Sequence, residues 1–171
     1  MFRSIICFIF FLCFFSYLLL PQYFPNFHPL YFAPYLGLAF YQLPKQRVLT
    51  HALLIGFFCD LSSSYLFGIH TTLYVTTSAL TYRTQRILLK DNIFSLPIIN
   101  VIFSLLFVLL SYPVLTFFNP QLQWSLSLFA LNVKYITIST LAYSTAIYLL
   151  PCIITRGMSK LIAFLRILIC Y

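Results

Sequence analysis

Long stretches without a charged residue divide this chain, and they constrain its fold more than any other feature. No Asp, Glu, Lys or Arg occurs between Arg3 and Lys45 or between Asp91 and Lys134. Only 7% of the 171 residues are charged and 62% are hydrophobic, whereas soluble domains are about 25% charged and about 45–50% apolar. The chain lacks the charged surface that a water-soluble fold needs, so we expect an all-α integral membrane protein.

Six apolar segments follow one another and predict one domain over residues 1–171. We place the spans at about residues 4–20, 30–43, 48–67, 69–82, 94–118 and 125–150, and an amphipathic tail at about residues 156–171. The second span is short, because its length of about 21 Å falls below the ~30 Å hydrocarbon core. It therefore either begins earlier, near Phe24, or lies where the bilayer is thinned. The first segment lacks a small-x-small cleavage motif before Pro21, which favours a span over a cleaved signal peptide.

The cationic residues predict the orientation of these spans. If the N-terminus is inside, the three predicted outer loops contain no Lys or Arg, and Lys134 alone lies within a span. This one-sided distribution is typical of cytoplasmic segments, and it predicts a single bundle of about six transmembrane helices with both termini in the cytoplasm. The formal net charge of +8 does not indicate nucleic-acid binding, because the cations are dispersed in small groups. The predicted cytoplasmic cations are Arg3, Lys45, Arg47, Arg83, Arg86, Lys90, Arg156, Lys160 and Arg166.

Two charged residues, Asp60 and Lys134, fall inside predicted spans. From the outer ends of their spans they lie about 10 Å and about 13 Å deep, respectively. A charge inside the bilayer is costly and normally has a partner. We predict an intramembrane polar pair of Asp60 and Lys134, or a polar cavity that they share, with a structural or partner-binding role. In the other arrangement, Lys134 extends to the outer surface and Asp60 is neutral or hydrogen-bonded to hydroxyl groups.

Small residues surround Asp60 and predict close packing of the third and fourth spans. Gly56, Asp60 and Ser64 are four residues apart, so they share one helix face, and small residues let helix backbones approach each other in lipid. Gly68 begins a tight turn into the fourth span. We therefore predict that Gly56, Ser64 and Gly68 form a helix-packing motif. The serines from Ser62 to Ser64 are expected to bond to backbone carbonyls and loosen the end of the third span.

Several kinds of catalytic and metal site are missing from the sequence. The chain has no Glu, no H-E-x-x-H motif and no phosphate-binding G-x-x-x-x-G-K-[ST] loop, so a metalloprotease or an ATPase is excluded. The five cysteines form no C-x-x-C pair, and the pattern is typical of small buried apolar residues. We predict no enzymatic activity, no cofactor and no metal.

The residues from Gly56 to Tyr74 read GFFCDLSSSYLFGIHTTLY. This segment resembles the signature of the bacterial rod shape-determining protein MreD family, in which G-x-x-x-D is followed by L-x-x-G-x-x-x-L-G and an apolar span. Gly56, Asp60, Leu61 and Gly68 match this signature in spacing, whereas Ser64 stands where the family often has Gly. The length of the chain, its basic interhelical loops and its apolar spans are also similar to that family.

The resemblance implies a multi-pass protein of the bacterial inner membrane that acts in cell elongation. Such a protein is a non-enzymatic scaffold that binds an MreC-like single-span protein and, through it, couples MreB-like filaments to peptidoglycan synthases. Membrane lipid is the other expected partner, and nucleic acid is not one.

Two other classes of function remain open at this point. The first is the substrate-binding membrane subunit of an energy-coupling-factor-type vitamin transporter, in which a polar cavity near Asp60, His70 and Lys134 is the ligand pocket. A co-purifying small molecule distinguishes this class from a scaffold. The second is a carrier of lipid or polyprenyl groups. In such a carrier, Lys134 is the one cation within a predicted span that is available to bind a phosphate.

Overall fold

Helices account for almost all of the part of the chain that the structure describes. The computed structural model describes residues 2–25, 27–63, 67–88, 96–118 and 125–169, and these contain no strand. Three of the described helices are long and apolar enough to cross a membrane, over Ile6–Tyr23, Leu96–Phe118 and Leu126–Leu149. The all-helical fold is therefore confirmed, and the protein has the helices of a membrane protein. The helices are α1 (Phe2–Tyr23), α2 (Ala33–Gln42), α3 (Lys45–Ser62), α4 (Ile69–Leu88), α5 (Leu96–Phe118) and α6 (Leu126–Ile169).

The shortest helix, α2, lies at the centre of the bundle. Every residue from Ala33 to Phe40 is buried, and α2 packs against each of the other five helices. Pro34 occupies its first turn, where the missing backbone N–H needs no partner. The second span predicted at 30–43 is thus shorter than expected, about 15 Å long. Because protein rather than lipid surrounds α2, its ends need not reach both membrane surfaces.

Several successive helices run in opposite directions. Tyr31 and Phe32, which directly precede α2, contact late residues of α1 and α3, respectively. Tyr35, further along α2, contacts earlier residues of the same two helices, Phe10 and His51. α2 is therefore antiparallel to α1 and α3, which are parallel to each other. The late part of α5 contacts the early part of α6, so these two are also antiparallel. The ring contacts that fix these directions are Phe10–Tyr35, Tyr17–Tyr31, Phe32–Phe58 and Tyr112–Phe129.

Phe32 lies at the centre of the aromatic core between α1, α2 and α3. Its side chain is only 1% exposed, and its ring lies 5.6–6.5 Å from the rings of Phe10, Tyr17 and Phe58. Aromatic pairs at such separations contribute about 0.5–1.5 kcal/mol beyond the burial of their surface. The central position of α2 therefore follows in part from a single phenylalanine that joins it to two neighbouring helices.

The basic segments that the sequence assigned to loops are partly helical. α3 begins at Lys45, directly after Pro44, whose backbone is extended. Arg47 therefore lies within the helix, and the predicted third span, 48–67, begins too late. Likewise α4 continues to Leu88, beyond the predicted end of the fourth span at 82, and Arg83 is one of its residues. Long basic side chains favour helical backbone, so charge alone does not mark where these helices end.

The predicted third span also extends too far at its other end. α3 ends at Ser62, and the backbone of Ser63 is extended. The Ser62 hydroxyl donates to the carbonyl of Phe58 at 3.0 Å, and the Ser63 hydroxyl donates to the carbonyl of Asp60 at 3.3 Å. The serines therefore bond to carbonyls as predicted, and this bonding competes with the helix and helps to end it.

The sequence predicted a sixth span at 125–150 and a separate amphipathic tail at 156–171, and this separation is wrong. α6 is one continuous helix from Leu126 to Ile169, and it passes through Pro151. α1 and α5 likewise contain Pro21 and Pro113. An internal proline lacks one backbone N–H and bends a helix, but helices in an apolar environment tolerate it. Proline was therefore a poor marker of helix ends in this chain.

Candidate functional site

Asp60 binds the first turn of α4 from the end of α3. Its side chain is only 3% exposed. The carboxylate accepts hydrogen bonds from the backbone N–H of His70 at 2.8 Å and of Thr71 at 3.0 Å, and from the Thr71 hydroxyl at 2.6 Å. The first N–H groups of a helix have no partner within the helix, and a negative charge is favourable beside them. Asp60 therefore caps α4 from a different helix.

Gly68 explains why α4 needs a cap from outside. This residue precedes Ile69, the first residue of α4, and has a φ of +98°, a conformation that favours glycine. The residue at this position usually carries a side-chain oxygen that accepts from the second and third helical N–H groups. Gly68 has no side chain, and those two N–H groups belong to His70 and Thr71. The sequence thus supplies the turn at Gly68 and the cap at Asp60.

Gly56 lets α3 and α4 approach closely enough for this cap. A Cβ atom added at Gly56 would lie 2.5 Å from the Cα of Thr71 and 2.9 Å from the backbone oxygen of His70. Backbone atoms cannot move aside as the end of a side chain can, so this position excludes any larger residue. Gly56 lies one turn before Asp60, and both face the first turn of α4. The third member of the predicted motif, Ser64, lies outside the described residues.

Lys134 lies on a different surface from Asp60. Its side chain is exposed on α6 and lines a groove with Phe27, Leu131 and Ile138. Within the described ranges, no ion pair joins Lys134 to Asp60, and the interactions of the Asp60 carboxylate are with His70 and Thr71. The structure therefore does not bring Asp60 and Lys134 together. Equal depth was a weak argument for pairing, because it does not say which way each helix face points.

The surface of α6 around Lys134 is otherwise apolar. Leu131, Tyr135 and Ile138 are exposed on the same face as Lys134, at the three- and four-residue spacing of one helix stripe. An exposed cation within an apolar stripe is unusual, because charged residues in membrane helices normally face the protein interior and have a partner.

A second buried polar group was missed by the sequence analysis. Asn100 is fully buried; its amide nitrogen donates to the Tyr148 hydroxyl at 2.9 Å, and that hydroxyl donates to the backbone oxygen of Pro34 at 2.8 Å. A Cβ atom at Gly37 would meet the Asn100 side chain. This chain of hydrogen bonds joins α5, α6 and α2. The available signal was a lone asparagine within an apolar span, which is costly unless hydrogen-bonded.

The polar cavity that the vitamin-transporter alternative requires is not formed by the predicted residues. Asp60 and His70 lie at the α3–α4 turn, whereas Lys134 lies on the exposed face of α6. The groove beside Lys134 is lined by neither Asp60 nor His70. Within the described residues, no group of three or more His, Cys, Asp or Glu side chains is placed to bind a metal ion.

Comparisons with family models, curated proteins and solved structures give no match to this chain.

Proposed function

We propose that this chain is a multi-pass protein of the bacterial inner membrane with six spans and both termini in the cytoplasm. The lengths of α3 and α4, 18 and 20 residues, correspond to about 27 and 30 Å, enough to cross a hydrocarbon core of ~30 Å. The low hydropathy of α4 has a structural explanation: Thr77, Ser78 and Thr81 are buried within the protein, so they do not face lipid.

The distribution of the cations over the bundle supports this topology. Because α3 and α4 form an antiparallel hairpin that Asp60 closes at one end, Lys45 and Arg47 at the start of α3 lie at the same end of the bundle as Arg83 in α4. Arg3 belongs to the first turn of α1, which is parallel to α3. Clustering of cations at one end is typical of the cytoplasmic side of a membrane protein, and this end is the cytoplasmic side in our proposal.

The proposed function is that of a non-enzymatic scaffold in the cell-elongation machinery. One observation carries the proposal: the exposed apolar stripe of α6 that contains Lys134. An isolated cation at the middle of a bilayer costs about 2.5–3.5 kcal/mol on insertion scales. A partner helix with a carboxylate opposite Lys134 removes most of that cost, and Leu131 and Ile138 provide the flanking apolar contacts.

A single-span protein fits this stripe best, because one straight helix is enough to cover it. In the proposed assembly, an MreC-like single-span protein packs against α6 and connects this chain to peptidoglycan synthases and MreB-like filaments. The resemblance of the segment from Gly56 to Tyr74 is the second support for this assignment.

Photo-crosslinking in native bacterial membranes tests the proposal. A benzoylphenylalanine is placed at Ile138, which is 55% exposed beside Lys134, and at Leu109 of α5, a control that is 58% exposed. We expect the Ile138 probe to give an adduct with a single-span protein of the elongation machinery, identified by mass spectrometry. The Leu109 probe gives none, and Lys134→Leu lowers the Ile138 adduct severalfold.

Two further results decide between the classes of function. If Lys134→Glu abolishes the adduct and a cationic substitution in the partner helix restores it, the charge pair is established. Adducts with ATPase subunits, or a vitamin bound in equal amount to the purified protein, would overturn the scaffold and favour a transporter subunit.

A further inference from the structure

A groove lies between α1 and α3. It encloses about 400 Å³. Ile6, Phe10 and Phe14 line it from α1; Leu54 and Phe58 line it from α3. Its floor is α2, and its lining is apolar except near one end. The groove is independent of the scaffold proposal, because none of its lining residues belongs to α4 or α6.

One end of the groove is closed and apolar. There the rings of Phe14 and Phe58 lie 5.1 Å apart, and Tyr17 contacts Phe58 at 5.7 Å. These rings join α1 directly to α3. A chain that enters the groove from the other end must therefore stop at this aromatic contact.

The other end is polar and then cationic. A hydrogen bond joins the Tyr35 hydroxyl to Nδ1 of His51, and both residues line the groove. Arg47 lies one turn before His51 on the same face of α3, and its side chain is exposed. The apolar groove thus opens beside the cationic end of the bundle.

The distance from Arg47 to the closed end of the groove matches one leaflet of a bilayer. From Arg47 to Phe58, α3 rises about 16 Å, and half of the hydrocarbon core is about 15 Å deep. A transmembrane partner helix would contact its site across both leaflets, and it has a diameter of about 10–12 Å. A lipid chain instead needs a narrow apolar groove that ends at the middle of the bilayer.

We propose that this groove binds one acyl chain of an anionic phospholipid, with the phosphate of its headgroup beside Arg47. The apolar walls exclude any ligand with polar groups along its length. The exposed cation at the open end selects a negatively charged headgroup over a zwitterionic one, since a cation near the headgroup contributes about a fivefold preference.

Quenching of tryptophan fluorescence by brominated lipids tests this site in the full chain. Trp124 is the one tryptophan of the sequence, so Trp124→Phe gives a silent background. Phe11→Trp then places a reporter in the groove, where Phe11 is 58% exposed. Phe8→Trp is the matched control on the same helix, because Phe8 is 43% exposed and lies outside the groove. Leu54→Trp and Leu53→Trp form a second such pair on α3.

Each variant is reconstituted in phosphatidylcholine vesicles that contain either brominated phosphatidylglycerol or brominated phosphatidylcholine. At the Phe11→Trp reporter we expect phosphatidylglycerol to bind at least fivefold more strongly than phosphatidylcholine. At the Phe8→Trp control the two lipids are expected to bind equally, as ordinary surrounding lipid does.

Charge variants identify the headgroup site. Arg47→Gln lowers the phosphatidylglycerol preference at the groove reporter about fivefold. Arg83→Gln removes an exposed cation from α4, away from the groove, and is expected to leave the preference unchanged. Equal binding of phosphatidylglycerol and phosphatidylcholine at the groove reporters, Phe11→Trp and Leu54→Trp, overturns the proposal. An absence of quenching by both lipids at these reporters overturns it as well.

Discussion

Thr71 donates two hydrogen bonds to the same oxygen of Asp60, one from its backbone N–H at 3.0 Å and one from its hydroxyl at 2.6 Å. The other carboxylate oxygen accepts from the backbone N–H of His70. One side chain at the end of α3 therefore holds the first turn of α4. Because Gly68 offers no side chain of its own, the stability of the α3–α4 hairpin depends on Asp60.

Replacement of Asp60 tests this dependence. We expect Asp60→Ala to lower the free energy of unfolding by about 1–3 kcal/mol, because it leaves buried donors unpaired. Thr71→Val removes only the hydroxyl donor and is expected to cost less, about 1 kcal/mol. Both are measured by thermal unfolding of the purified protein in mild detergent, and a lower recovered amount of Asp60→Ala from membranes is the parallel result in cells.

The charge and the shape of Asp60 are separated by Asp60→Asn, which keeps one acceptor oxygen. We expect its stability to lie between those of the wild type and Asp60→Ala. If all three proteins unfold at the same temperature, the carboxylate does not stabilise the hairpin.

Gly56→Ala is expected to destabilise the protein, although replacing glycine by alanine within a helix usually stabilises it. Alanine favours a helix over glycine by about 1 kcal/mol, yet the added Cβ would lie 2.5 Å from the Cα of Thr71. The helices must separate, so we expect a net loss of stability. The same separation moves the α4 backbone away from Asp60, and the Gly56→Ala, Asp60→Ala double variant should therefore lose less stability than the sum of the two single variants.

A different glycine provides the control for that experiment. At Gly68 a Cβ meets no atom within 4 Å, but its φ is +98°. Gly68→Ala is therefore expected to destabilise through backbone strain, with no contact to Gly56. Additive losses for Gly56→Ala and Gly68→Ala would support two separate causes, whereas strong coupling would show that Gly56 acts through the turn instead.

The sequence predicted the class of this fold well and its contacts less well. Spacing placed Gly56 and Asp60 on one face, and the structure directs both at α4, because a four-residue spacing fixes a helix face. The same sequence did not reveal that the partner of Asp60 is the backbone of α4. Every residue except proline carries a backbone N–H group, so the residue types do not show which of these groups lies beside Asp60. Lys134 was paired by depth, a quantity that carries no information about rotation around the helix axis.

The sequence also did not predict that α2 is buried. Its apolar residues from Ala33 to Phe40 are compatible with lipid on any side, so hydropathy does not distinguish an enclosed helix from an exposed one. Asn100 was the available signal for the interior, because a buried amide needs partners, but the identity of those partners depends on how three helices pack.

Tyr148→Phe tests the buried chain of hydrogen bonds among α2, α5 and α6. The variant keeps the ring and removes the hydroxyl that accepts from Asn100 at 2.9 Å and donates to the backbone oxygen of Pro34 at 2.8 Å. We expect a loss of about 1–3 kcal/mol in the free energy of unfolding, since the buried amide loses its partner. In the Asn100→Ala, Tyr148→Phe double variant the loss should be smaller than the sum of the two, because the unpaired amide is gone. Simple additivity would mean that the two side chains do not act together.

Reversal of the charges of Asp60 and Lys134 separates a paired arrangement from the one in the structure. The Asp60 carboxylate is occupied by His70 and Thr71, and Lys134 is exposed on α6. We expect Lys134→Leu to leave the unfolding temperature of the isolated protein unchanged or higher, because it removes an exposed cation from an apolar stripe. The Asp60→Lys, Lys134→Asp double variant should be no more abundant in membranes than Asp60→Lys alone. Recovery of the double variant to near wild-type abundance would restore the pairing hypothesis, since only a direct interaction between the two charges permits such compensation.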